Sequence, residues 1–243
     1  GVTMLSLNEI CNSFSTILDI AGERTYEHSK RTAYIATRLA EVVGYSKTLS
    51  YYGGLLHDIG ASGELSRYDL EDIHNRRHLI FDHAELGAEI VKKLPQLNET
   101  SILIKYHHEH YDGSGAFKLK GEEIPLGARI LYLADQVDLI YSGTNPPSRE
   151  RVINWVKNFS GKTVFPDLKD AFLILAQTEK FWLDLESRNL NYSLKAIEPK
   201  TTYISFDELK SIAQAFSHII DNKSKFTHNH SLGLYLIAQK LAK

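Results

Sequence analysis

Apolar residues recur at helical spacing along almost the whole chain and alternating patterns are scarce, so the sequence is committed to an all-α fold. Ile35, Leu39 and Val42 fall at i, i+4 and i+7 and share one face of a helix expected from about Thr25 to Val43. Gly44 is placed to stop that helix, and Ser46 to cap the next, which should run to Asp58-Ile59-Gly60. Ala61 to Asn75 is polar and glycine-punctuated, a loop with a short helix. Further helices are expected over Asp82 to Leu94, Asn98 to His110 and Leu126 to Tyr141, and then onward through Leu190. Turn chemistry stands at Asp112-Gly113-Ser114-Gly115 and at Thr144-Asn145-Pro146-Pro147. Thr201 to Ser205 reads as a short extended piece or a linker, and Phe181-Trp182 with Leu183 and Leu185 as the seam that packs a helical extension on the core.

The 243 residues, 43% of them hydrophobic, suffice for one large helical domain or one domain plus a fragment. A formal net charge of −2 gives neither nucleic acid nor a membrane surface a general hold on the chain. The one cysteine, Cys11, allows no internal disulfide and fits a reducing cytoplasm. No apolar run approaches the roughly 18–20 residues that span a bilayer. The opening Gly1-Val2-Thr3-Met4 has no basic segment leading into an apolar one, so no signal peptide is read there and the expectation is a cytoplasmic protein.

Chemistry concentrates in a few residues. His57 and Asp58 stand together in Gly53-Gly54-Leu55-Leu56-His57-Asp58-Ile59-Gly60, with His83, His107-His108 and Asp135 downstream. An imidazole beside a carboxylate at the end of an apolar helix looks like half of a dinuclear metal site. Hydrolysis of a phosphate ester needs a nucleophile stronger than neutral water and a sink for charge on the phosphoryl oxygens; two adjacent divalent ions supply both. A thiol-poor donor set suits Mn, Fe or a similar borderline metal better than a structural zinc–thiolate centre. The bland alternatives are a hydrogen-bonded pair at a helix end for His57-Asp58 and a solvated helix face for His107-His108-Glu109. Asp135 lies among Leu131, Leu133 and Val137, where an unpaired carboxylate is costly and a metal would satisfy it. His74, His78, His110, His218 and His228 match no ligand position, while Glu109 and Asp138 are candidates to orient ligand imidazoles.

From about Glu27 to Tyr141 the chain resembles an HD-GYP domain, the bacterial branch of the HD phosphohydrolases. The resemblance rests on His28-Ser29-Lys30-Arg31, His57-Asp58-Ile59-Gly60, His83-Ala84-Glu85-Leu86-Gly87-Ala88-Glu89-Ile90 and His107-His108-Glu109. It continues through Asp112-Gly113-Ser114-Gly115 and Ile124-Pro125-Leu126-Gly127-Ala128-Arg129-Ile130 to Ala134-Asp135. It implies an HD-domain helical bundle with a C-terminal helical extension and two divalent metal ions. His28, His57, Asp58 and Asp135 would serve one ion and His83, His107 and His108 the other, with Asp58 bridging and catalytic. The implied substrate is a cyclic dinucleotide, cyclic di-GMP first, with Arg31 and Arg129 as candidate substrate-binding cations. Departures are equally plain. The Lys that usually follows the His-Asp-Ile-Gly run is Ala61, Tyr-Pro of the Gly-Tyr-Pro signature is Ala116-Phe117, and Gly143-Thr144-Asn145-Pro146-Pro147 holds no cation. Arg24 stands where some members place a third-metal Glu, which favours a binuclear centre. The metal cage looks whole and the substrate clamp eroded.

An ungapped internal echo, offset by 202 residues, ties Phe14-Ser15-Thr16-Ile17-Leu18-Asp19 to Phe216-Ser217-His218-Ile219-Ile220-Asp221. In the same register Thr25, His28, Ser29, Ile35, Ala36, Leu39 and Ala40 meet Thr227, His230, Ser231, Ile237, Ala238, Leu241 and Ala242. The expected organisation is a phosphohydrolase core over 1–145, a helical extension over 146–200, and over 201–243 a linker and the first helices of a second HD-like repeat, itself an expected partner surface. Homodimerisation is left open. Three function classes follow: a cyclic-dinucleotide phosphodiesterase, an HD hydrolase of another nucleotide phosphate ester, and a weakly active metal-binding signalling scaffold.

Overall fold

A computed structural model describes residues 4–21, 27–60, 77–94 and 96–223. Arg24, Thr25, the expected loop with Ala61 and His74, and the second half of the echo, His228 and His230 included, lie outside the described residues, as do the side chains of His78 and His218. The described residues form helices α1 (Leu7–Ala21), α2 (His28–Val43), α3 (Lys47–Leu56), α4 (Arg77–Lys93), α5 (Thr100–Tyr106), α6 (Leu126–Tyr141), α7 (Arg149–Phe159), α8 (Pro166–Ala176), α9 (Glu179–Asp184), α10 (Ser187–Ile197) and α11 (Phe206–Lys223). Two-residue strands β1 (Leu5–Ser6) and β2 (Tyr203–Ile204) pair antiparallel, Leu5 opposite Ile204, which settles the Thr201–Ser205 piece as extended. The fold is all-α, as the spacing implied. No helix among the described residues is long and apolar enough to cross a membrane.

Helix α2 is the axis of the bundle. Eleven of its residues between His28 and Ala40 are buried, and α1, α3, α6, α8 and α10 all pack against it. With so much of the helix buried, two of its polar side chains are satisfied by its own backbone: Thr32 Oγ1 donates to His28 O at 2.9 Å and Thr37 Oγ1 to Ala33 O at 2.7 Å. Val42, expected on the buried face with Ile35 and Leu39, emerges 39% exposed at the helix end. Gly44 ends the helix in the left-handed conformation, and Ser46 Oγ accepts the Leu49 N–H at 3.1 Å to start α3.

Two glycines set the spacing around the His-Asp pair. A Cβ on Gly54 would lie 2.3 Å from Ala33 Cα, so only glycine lets α3 approach α2 this closely. A Cβ on Gly60 would lie 2.3 Å from His83 O and 2.4 Å from Gly87 N, so the turn after the pair rests directly on the α4 backbone that carries His83. The extension closes on α2 through aromatic packing. Phe181, Trp182 and Leu185 are buried, Leu183 is not, Trp182 Nε1 donates to Ala176 O at 3.0 Å, and the Tyr34 hydroxyl on α2 bonds Asp184. Helix α11 packs on α1 and buries Leu209 and Ile212.

Gly54→Ala should destabilise the protein by about 1–3 kcal/mol, because the atoms it meets are backbone and cannot step aside. A lower urea midpoint at unchanged m-value is the expected reading.

Candidate metal centre

Two helix ends deliver the central histidines. The sequence placed His57-Asp58 and His107-His108 within helices; in the structure α3 stops at Leu56 and α5 at Tyr106, and both pairs sit on the turns that follow. The physical reason is the imidazole itself. The last carbonyls of a helix lack intrahelical donors. His57 Nδ1 lies 2.7 Å from Gly54 O and His107 Nδ1 2.5 Å from Ile104 O, each ring closing its own helix. A ring whose Nδ1–H is given to a carbonyl presents Nε2 as a lone pair, the state a metal ligand needs.

Around these ends two groups assemble. In the first, His28 Nε2 lies 3.2 Å from His57 Nε2, and both nitrogens lie 3.0 Å from Asp135 Oδ1. Asp58 Oδ2 is 3.2 Å from His57 Nε2 and 3.7 Å from His28 Nε2. The second group is His83, His107 and His108, with ring centroids 5.2 Å (83–107), 5.3 Å (83–108) and 4.0 Å (107–108) apart. Asp58 Oδ1 reaches toward it, 3.7 Å from His83 Nε2. In His28, His57 and Asp58, and again in His83, His107 and His108, one ligand atom per residue falls within 4.8 Å of the others. These are two clusters able to coordinate metal ions. All seven side chains are buried except His108, which is half-buried.

Donor chemistry and burial fit divalent cations. His107 Nε2 is fully buried with no hydrogen-bond partner among the described residues, a cost that a ligand would remove. The first group is rich in carboxylates. Burial alone would depress His28, but hydrogen bonds to Asp135 and Asp138 outweigh it and raise its pKa to about 9. His57 is likewise raised against its burial by Asp58 and Asp135. Asp135, against the burial that would raise it, is held well below the carboxylate range by His57 and His28. The second group behaves oppositely: burial and neighbouring imidazoles push His107 down and His108 down further, leaving neutral rings. One half of the site asks for positive charge, and the other offers uncharged ligands.

Several residues find partners within the protein. Asp138 Oδ2 lies 2.7 Å from Nδ1 of His28, the ring of a candidate ligand. Arg31, expected on substrate, is buried and donates from Nε to Asp138 Oδ1 at 2.6 Å. Arg129 donates to Ile124 O at 2.6 Å and Glu122 O at 3.1 Å, with its guanidinium 4.6 Å from the Phe165 ring centroid. Both expected substrate cations are thus engaged by the protein itself. The Glu109 carboxylate accepts the Phe117 N–H at 3.0 Å and the Leu119 N–H at 3.0 Å and so holds the altered Gly-Ala-Phe loop. His110 Nδ1 lies 2.8 Å from Ser114 Oγ. Sequence reading missed Asp19 of α1, whose carboxylate meets Ser29 beside His28. Only its place in the internal echo singled it out.

Comparison with known proteins agrees with this geometry. The HD domain family matches residues 25–140. The chain is 26% identical to a 3′3′-cGAMP-specific phosphodiesterase of Vibrio cholerae over its whole length, covering 61% of that protein. It is 31% identical to a cyclic di-GMP phosphodiesterase of Thermotoga maritima over 69% of its length, covering 48% of that protein. The chain therefore spans less than two thirds of the length of these relatives. A crystal structure of a cyclic GMP-AMP specific phosphodiesterase of V. cholerae superposes with a TM-score of 0.80 at 22% identity, over 95% of this chain and 63% of the other, and shares the fold.

Arg31→Met would remove one of the two partners of the buried Asp138 carboxylate and leave it to His28 alone. The expected cost is about 3–5 kcal/mol, read from urea unfolding.

Proposed function

We propose that this chain, whose residues 25–140 match the HD domain family, is a metal-dependent phosphodiesterase that opens a cyclic dinucleotide. One observation carries the reading: Asp58 directs one oxygen toward His28 and His57 and the other toward His83, so a single carboxylate joins two groups of ligand atoms. In this reading His28, His57, Asp58 and Asp135 hold one ion, His83, His107 and His108 the other, and Asp58 is shared. A pair of divalent ions, Fe or Mn for a donor set without thiols, supplies water activation near neutral pH and compensates charge on the phosphoryl oxygens.

The chain's own residues do the rest. Carbonyls at two helix ends fix the tautomers of His57 and His107, and Asp138, neutralised by Arg31, fixes His28. Burial of Asp58 and Asp135 keeps bulk water from screening the charges that the phosphodiester meets. Cyclic di-GMP is the first proposed substrate. The relative aligned with the whole chain carries a name specific for 3′3′-cGAMP, so that dinucleotide belongs on the same panel. Internal engagement of Arg31 and Arg129 favours the second reading, hydrolysis of another nucleotide phosphate ester that needs fewer phosphate cations.

Mn- or Fe-loaded protein should hydrolyse cyclic di-GMP or 3′3′-cGAMP in preference to bis(p-nitrophenyl) phosphate; the reverse order supports the second reading. Asp58→Ala should lose metal loading, from about two equivalents, together with turnover. Unchanged hydrolysis by that variant rejects the shared-carboxylate centre. Ala61→Lys should raise affinity or turnover for the dinucleotide through an added charge-assisted contact to phosphate. No gain in either would show that a missing cation does not limit the enzyme.

A further inference from the structure

Helix α2 is not capped by the side chain of its own N-cap residue. Its N-cap residue, Glu27, is left-handed at φ 63° and its side chain caps nothing. The first N–H groups of a helix have no intrahelical acceptor, and here they are sealed from water, with His28 0% and Ser29 1% exposed. The acceptor arrives from a different helix. Asp19, in the last turn of α1, receives the Ser29 N–H on Oδ2 at 3.2 Å and the Ser29 hydroxyl on Oδ1 at 2.6 Å. Ser29 is the second residue of α2, one of the two whose N–H a capping side chain ordinarily receives. A carboxylate there also complements the positive end of the helix dipole. Asp19 is therefore the cap that Glu27 does not provide.

The residue beside that cap is His28. Asp138 holds its ring from one side, and the Asp19–Ser29 pair holds the backbone from which the ring projects. Ser29 directly follows His28, so the Asp19 carboxylate sits against the backbone that carries the first candidate ligand. Helix α1 lies outside the matched residues 25–140. We propose that Asp19 is a positioning residue of the metal centre: by capping α2 through Ser29 it fixes His28, which makes α1 a working part of the His28–His57–Asp58 half. The inference rests on the metal-centre reading above. The internal echo supports it, because Asp19, His28 and Ser29 recur at unchanged spacing as Asp221, His230 and Ser231.

Two measurements on the full chain test it. Amide hydrogen exchange is read on metal-free protein, and Mn2+ binding is titrated to resolve the two sites. Ser13→Ala is the control, since Ser13 is also buried in α1 but bonds only its own helix, at Glu9 O. Asp19→Ala should speed exchange of the Ser29 amide and weaken one Mn2+ site by about tenfold or more while sparing the other. Asp19→Asn, which keeps an acceptor for the Ser29 N–H, should recover part of that affinity, and Ser13→Ala should change neither reading. Should Asp19→Ala fail to fold, Ser29→Ala removes the hydroxyl half of the pair and should weaken the same site. Unchanged Ser29 exchange, or equal weakening at both sites matched by Ser13→Ala, overturns the proposal while leaving the dinuclear reading standing. No Mn2+ binding by the unsubstituted chain overturns both.

Discussion

Three carboxylates, Asp58, Asp135 and Asp138, are buried at the junction of α2, α3 and α6, and the charge they bring inside has to be balanced. An isolated buried carboxylate costs several kcal/mol. Here Arg31 answers Asp138, while His28 and His57 are drawn toward their protonated forms by Asp135, Asp58 and Asp138. Imidazolium protons are a serviceable but replaceable countercharge. A divalent cation supplies the same charge and also satisfies the lone pairs.

That constraint explains why so much of the bundle serves the position of a few ring nitrogens. α3 and α5 both end in a histidine that closes its own helix, so the direction of Nε2 is set by backbone geometry rather than by side-chain packing alone. Gly54 lets α3 lie against α2, and Gly60 lets the following turn lie against α4, which brings His83 to the opposite oxygen of Asp58. α2 carries the first histidine at its N-terminus, where ring and backbone are held by Asp138 and by Asp19–Ser29. Restraints from several helices thus hold the candidate ligand groups in place within the protein itself.

The substrate side is built differently. Arg31 and Arg129 are committed to internal partners, and Glu109 secures the loop carrying Ala116 and Phe117. The two arginines that the sequence offered for phosphate are thus tied to partners within the protein.

Helical periodicity, the stop at Gly44, the cap at Ser46 and the bounds of α6 were legible in the sequence because each rests on residues within a turn of one another. So were the kinds and order of the chemical groups, His28, His57-Asp58, His83, His107-His108 and Asp135, since a chain must carry its donors whatever its fold. What the sequence could not state was partnership across long separations. Arg31 meets Asp138 over 107 residues, His28 meets Asp135 over the same distance, and Asp19 crosses helices to reach Ser29. Nor could it state that His57 and His107 leave their helices to cap them. The local code chose helices and ligand types; only tertiary packing chose which nitrogen faces inward, which carboxylate is shared and which arginine is already taken, because those choices depend on distances between segments that no spacing along the chain encodes.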